Sequence, residues 1–215
     1  PVTHVDLAAA YLRAAAHPLA LAQRARPGLL LGVAAPARLL LQLLHQRSIR
    51  HGDFTLASGA RSTYYIDARP TTMSAEGLHL IGRLGVAALR ARGWAPAVVG
   101  GLTMGADPVA YAVALASRAA PPVIDAFSVR KEAKGHGTRR RVGGNFHEGD
   151  GVVVVEDVIT SGGSAIQAIA AVEEAGGRVL GVLAVVDREQ GGRAALIERG
   201  YGVAVLTTAT ELGLR

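Results

Sequence analysis

The chain contains no cysteine, which excludes disulfides, thiolate metal sites and a cysteine nucleophile and fits a cytoplasmic protein. Aromatic residues amount to 4% of the sequence, against 50% for the hydrophobic set as a whole. The core must therefore be built from Ala, Val, Leu and Ile. Lysine is nearly missing: of 23 basic Lys and Arg residues, only Lys131 and Lys134 are lysine. Long apolar runs are also missing. Leu29–Leu44 is interrupted by Gly32, Pro36 and Arg38 and falls short of the ~18–20 apolar residues of a membrane span, so no membrane partner is expected. No spacing of Ser, His and Asp points to a nucleophilic triad.

At 215 residues the chain can bury one real core with an added arm. The formal charge of +6 is concentrated in two places, residues 1–50 and the stretch Arg130–Arg141. A nucleic-acid binder spreads a basic stripe over a face, whereas here one short loop and one arm carry the excess, so no nucleic-acid partner is expected. Residues 1–36 read as an N-terminal extension, helical or poorly ordered, with a break at Pro27-Gly28. Residues 37–215 read as the domain. A first helix is expected over Arg38–Gln46, with Leu39, Leu40, Leu43 and Leu44 on one face.

From there strand and helix patterns alternate. Phe54–Leu56 and Tyr64–Asp67 read as strands around the turn Ala57-Ser58-Gly59, and Ser74–Arg92 as a helix capped by Ser74. Ala97–Gly100, Val123–Val129, Val152–Val155, Val179–Val186 and Val203–Leu206 read as strands, with helices from Gly105 to about Ser117 and over Ala165–Ala175. Four consecutive valines at 152–155 are the pattern of a strand buried on both faces. The alternation predicts an α/β fold, a central parallel sheet flanked by helices. Ligands then sit beyond the carboxyl ends of its strands, where the loops Gly101–Gly105 and Glu156–Ser164 and the Asp187-Arg188 turn should meet.

The strongest local signal is the second of these loops. An all-valine strand delivers Glu156 and Asp157, then Thr160-Ser-Gly-Gly-Ser164 opens a helix. Backbone N–H groups at that helix start can cradle a phosphate, helped by the helix dipole. Acids beside the cradle have a purpose if the ligand also offers ribose hydroxyls or a magnesium ion. An ordinary strand–loop–helix junction would leave them without one. The second signal is Arg130-Lys-Glu-Ala-Lys-Gly-His-Gly-Thr-Arg-Arg-Arg141, which gathers both lysines between glycines and reads as a flexible anion-binding loop.

The Val152–Ser164 string resembles the binding motif for phosphoribosyl pyrophosphate (PRPP) of the type I phosphoribosyltransferases. Arg-Lys-Glu-Ala-Lys-x-His-Gly resembles the catalytic loop of the orotate phosphoribosyltransferases among them. Phe54–Asp67, Val98–Pro108 and Val185-Val-Asp-Arg-Glu189 resemble further segments of that family, so the likeness runs from about residue 39 to the C-terminus.

The resemblance implies a type I phosphoribosyltransferase fold with a small N-terminal hood, and an Mg2+-dependent pentosyltransferase making orotidine 5′-monophosphate from PRPP and orotate. It implies a homodimer with shared active sites, in which metal is bound mainly through PRPP. Glu156, Asp157, Thr160, Ser161, Gly162, Gly163 and Ser164 would hold PRPP, and Arg130, Lys131, Lys134 and His136 its pyrophosphate. Lys131, Lys134, His136 and Asp157 would be the catalytic set. Tyr64, Tyr65, Thr160 and Arg188 would meet orotate. A purine phosphoribosyltransferase would share the 156–164 motif but not the lysine loop or Arg188, and a nucleic-acid-binding PRPP sensor would draw on the basic arm. Many members carry a lysine where this chain has Ala57, and another in the loop 101–108, which here has none. Lys131 and Lys134 are therefore expected to carry a larger share of the pyrophosphate charge.

Overall fold

The computed structural model of the chain describes residues 27–55, 61–119, 121–132 and 141–214. Its first helix, α1 (Pro27–Ser48), is a single piece of 22 residues with Pro36 inside it. The sequence reading expected this helix only from Arg38. Pro36 removes one backbone hydrogen bond and strains the turn before it, a cost of about 3 kcal/mol in an isolated helix. Burial of Leu40, Leu43 and Leu44, each at most 5% exposed, against the helix α3 described below offsets that cost. Leu39 does not join them. It stands 43% exposed at the rim of the stripe, correcting the expectation of a four-leucine face.

Next comes a two-stranded antiparallel hairpin, β1 (Ile49–Thr55) and β2 (Arg61–Ile66), in register from Ile49 opposite Ile66. Its expected turn at Ala57-Ser58-Gly59 lies outside the described residues. The hairpin base is tied down twice: the Asp67 N–H donates to the Ser48 carbonyl at 2.9 Å, and the Ser48 and Thr71 hydroxyls share a buried hydrogen bond of 2.7 Å. After the short turn of helix α2 (Arg69–Thr72) comes α3 (Ala75–Ala91). Ser74 caps α3 as expected, its hydroxyl accepting from the Gly77 N–H at 3.0 Å.

The main sheet has six strands in the order β5-β4-β3-β6-β7-β8, namely β3 (Val98–Leu102), β4 (Asp125–Val129), β5 (Val142–Gly144), β6 (Gly151–Ile159), β7 (Arg178–Asp187) and β8 (Val203–Thr208). All neighbours are parallel except β4 and β5. Sequence reading missed β5, because Val-Gly-Gly carries one apolar residue and no alternation. Helices α1, α3 and α4 (Ala106–Ser117) pack on one face, and α5 (Gly163–Glu174) and α6 (Gly192–Glu198) on the other. Alternate residues of each strand feed the two layers: Val153 and Val155 face α3 and α4, and Val152 and Val154 face α5. All four valines are fully buried, as the uniform run predicts.

The sheet is drawn together by small residues. A side chain at Gly100 would run into the Phe127 carbonyl and ring, and one at Gly82 into the Ala112 carbonyl of α4. Gly100→Ala is therefore expected to lower the unfolding free energy by about 1–3 kcal/mol through overpacking. It should appear as a lower urea midpoint with unchanged m. An unchanged midpoint would mean that the β3–β4 contact relaxes freely.

Candidate active site

Parallel strands that all point one way bring β3, β4 and β6 to a common carboxyl edge, and their ends and following loops line a cavity of about 620 Å³. The Asp187-Arg188 turn after β7, expected to meet them, is not part of the lining. Lining the cavity are Leu102 at the end of β3, Thr103, Met104 and Gly105 after it, Lys131 after β4, Glu156 and Asp157 on β6, Ser164 on α5, Asp107 on α4, and Arg69 from the turn beyond the hairpin. A side chain at Gly105 would come within 2.6 Å of the Asp157 carboxylate, so only glycine lets this loop lie against the acid.

The acid pair is the electrostatic centre of the cavity. Glu156 is 7% exposed, and burial, reinforced by the neighbouring Asp157 charge, pushes its carboxyl up to about 8. Burial raises Asp157 as well, opposed by the Val158 N–H, which donates to Asp157 Oδ1 at 2.8 Å. Beyond the pair the chain turns through Gly162, whose φ of +81° suits glycine, into the start of α5. There the expected cradle residues Thr160, Ser161, Gly162, Gly163 and Ser164 form one contiguous loop, and Ser164 reaches the cavity wall. The Gly192 N–H donates to the Thr160 carbonyl at 3.0 Å, bracing this loop from α6.

One strand over, β7 ends in Asp187 and Arg188. Asp187 Oδ1 accepts from the Glu189 N–H at 2.8 Å, shaping the turn. Burial holds its carboxyl above the usual range. Arg188 is 6% exposed, and its Nε and one terminal nitrogen are buried without a hydrogen-bond partner. Its guanidinium lies 5.2 Å from the centroid of the Tyr64 ring. Tyr64 is buried, while Tyr65, on the opposite face of the strand, is 40% exposed and its ring contacts Phe54 at 5.7 Å. The two tyrosines thus diverge, as period-2 alternation requires.

Lys131 lies on the cavity wall. Arg130 closes the neck of the basic loop, its N–H donating to the Arg141 carbonyl at 2.9 Å while Arg141 Nε donates to the Arg130 carbonyl at 3.2 Å. Lys134 and His136 lie outside the described residues. Sequence reasoning missed Arg69 and its partner Asp67. Nε and NH2 of Arg69 donate to the two Asp67 oxygens at 2.7 and 2.8 Å, holding the Asp67 carboxyl below its ordinary value. An acid and an arginine two residues apart, directly after a strand, were the available signal. Among the described residues no three His, Cys, Asp or Glu side chains converge as a metal cage, and no helix is long and apolar enough to cross a membrane.

The carboxyl edge of the sheet thus presents an acid pair, a Ser/Gly-rich loop at a helix start and an arginine with unpaired donors, an arrangement suited to a polar, anionic ligand. The comparisons carry this further. The model of the phosphoribosyl transferase domain matches residues 76–196. An orotate phosphoribosyltransferase of Rhodopirellula baltica is 42% identical over 179 residues, covering 81% of this chain and 93% of that protein. Its counterpart in Thermosynechococcus vestitus is 46% identical over 174 residues, covering 80% and 90%. The crystal structure of Mycobacterium tuberculosis orotate phosphoribosyltransferase in complex with PRPP superimposes with a TM-score of 0.71 at 38% identity, covering 83% of this chain and 99% of that one. An adenine phosphoribosyltransferase of Leishmania tarentolae, at 19% identity and a TM-score of 0.54, shares the fold alone. The chain belongs to the phosphoribosyltransferase family and, within it, to the orotate phosphoribosyltransferases.

The raised Glu156 carboxyl has a consequence for stability. The folded chain binds a proton there that the unfolded chain releases above its ordinary 4.5, so this contribution falls as pH rises from about 4.5 to about 8. Glu156→Gln is expected to flatten the decline of Tm between pH 5 and 8 in the unliganded protein, and to exceed the parent in Tm above pH 8. An identical pH profile in parent and variant would show that the carboxyl is not desolvated.

Proposed function

We propose that the 620 Å³ cavity binds PRPP with magnesium, and that orotate binds beside it against Arg188, giving orotidine 5′-monophosphate and pyrophosphate. The observation that carries this reading is Arg188. A buried guanidinium with unpaired donors is costly unless an anion completes it. A planar fork facing an aromatic ring suits a carboxylate on a flat heterocycle. A purine base offers no such group.

In this reading the first turn of α5, with Thr160, Ser161 and Ser164, takes the 5′-phosphate. Glu156 and Asp157 accept hydrogen bonds from the ribose hydroxyls, which favours their charged forms and pulls the Glu156 carboxyl back down. Breaking the C1′–O bond leaves positive charge on the ribose and negative charge on the departing pyrophosphate. The buried carboxylates lie on the side of the first, and Lys131, Lys134, His136 and Arg130 supply the donors for the second. The donor set fits magnesium: with cavity carboxylates available but no three converging among the described residues, the ion would take most of its oxygens from substrate and water. Its chemistry would be to neutralise the pyrophosphate as a Lewis acid. The orotate ring nitrogen then bonds to C1′ as the C1′–O bond breaks, its N–H proton passing to the departing pyrophosphate or to water, with no covalent enzyme intermediate.

A homodimer sharing the basic loop between subunits is part of the same reading. It is supported by the family likeness and by Met104 on the cavity wall and Tyr111 and Leu115 on α4, large hydrophobic side chains left at least 55% exposed. Mixing Lys134→Ala with Asp157→Asn protein would regain activity if loops are exchanged and stay inactive if each site is self-contained.

The direct test follows orotate absorbance with PRPP and magnesium, each omitted in turn, and loss only when both are present is expected. Arg188→Ala should raise the KM for orotate by about ten- to a hundred-fold, since a charged hydrogen-bond pair is lost, with the KM for PRPP nearly unchanged. An unaltered orotate KM would remove Arg188 from the base site.

A further inference from the structure

The cavity wall presents a charge problem. Asp107, Glu156 and Asp157 all line it, yet PRPP is itself a polyanion. The loop Gly101–Pro108, which forms one side, contains no basic residue. Among the described lining residues the cations are Lys131 and Arg69. Lys131 belongs to the basic loop, whereas Arg69 is fixed by the turn after β2.

We propose that Arg69, oriented by Asp67, is a fixed cationic contact for the pyrophosphate end of PRPP, supplying the charge that the loop after β3 lacks. This rests on the reading of the cavity as the PRPP site. Asp67 holds the guanidinium by both of its carboxylate oxygens and also accepts the Arg69 backbone N–H at 3.1 Å, so the side chain is locked to its own turn. The Nε and NH2 edge is spent on Asp67, leaving the NH1 donors for a ligand. The side chain is 51% exposed, as a contact awaiting an anion must be. It lies close enough to Asp157 for that carboxylate to add to the effect of Asp67 in raising its affinity for the proton. Arg69 thus shares the cavity lining with the acids and with Thr103 and Gly105 of the loop after β3. A cation fixed before the substrate arrives loses little conformational freedom on binding, and a planar fork suits phosphate oxygens. Arg69 contributes through binding and charge, and Asp67 is a positioning residue acting through it.

The bland role for the pair is to pin the turn after the hairpin, and the test separates the two. Binding of magnesium pyrophosphate and, separately, of orotidine 5′-monophosphate to the full chain is measured by titration calorimetry, alongside Tm. Arg69→Ala is expected to weaken pyrophosphate about ten-fold or more and to raise the KM for PRPP, while affinity for the nucleotide, which lacks the pyrophosphate, stays within about two-fold. Arg69→Lys should recover part of the loss. Asp67→Asn should fall between parent and Arg69→Ala, because the charge remains but is no longer held. Pyrophosphate affinity within about two-fold of the parent would overturn the proposal. So would a parallel loss for pyrophosphate and nucleotide accompanied by a lower Tm, which is the signature of a turn that merely unpins. Should the parent bind pyrophosphate but no orotidine nucleotide, the base assignment fails while the Arg69 comparison still reads.

Discussion

Charge held out of water by the strand that delivers it is the constraint on which the rest of the site depends. β6 is buried from Val152 to Glu156, and its register against β3 and β7 fixes Glu156 inside and Asp157 half-buried at the edge. The same holds for Arg188, fixed to its neighbour by the Arg188 N–H donating to the Ile159 carbonyl at 2.9 Å. Two carboxyls, one of them kept protonated by burial up to about pH 8, and one guanidinium thus sit at adjacent strand ends, and the described residues form no ion pair among the three. Such an edge leaves Arg188 donors buried without a partner and a carboxyl desolvated, both of them costs that the fold carries.

The hood serves that edge from above. The hairpin is anchored through Ser48, Asp67 and Thr71 to α1 and the turn before α3, and this anchoring brings Tyr64 under Arg188 and Arg69 to the cavity wall. Neither contact is local in sequence. Each joins an element of the hood to an element of the sheet, and the hydrophobic seam of Leu40, Leu43 and Leu44 keeps the two in register. The small residues at Gly100, Gly101 and Gly105 act alike for the loop after β3, admitting backbone where any side chain would hold it away.

What could be read from the sequence follows from how far apart the cooperating residues lie. The strand, acid pair and cradle of 152–164 form one unbroken string, and pattern alone located all of them. Ser74 as a cap and the valine run as a doubly buried strand were legible for the same reason: each depends on neighbours within a turn or two. The start of α1 was not, because Gly32 and Pro36 are local helix breakers overruled by packing from α3 some forty residues on. β5 was not, because its pairing with β4 needs no side chains of its own. Arg69 escaped notice because its partner lies two residues away but its task lies across the fold. Tyr64 and Tyr65 were read as a pair, although alternation along a strand sends such neighbours to opposite sides.

The antiparallel pairing of β4 with β5 also makes the basic segment between them a clamped insertion. Its two ends meet at the Arg130–Arg141 hydrogen bonds, so the sheet is already closed before the segment does anything. Closing a loop whose ends are held costs free energy that grows only with the logarithm of its length. A change in the number of residues between those ends is therefore expected to alter folding stability only slightly.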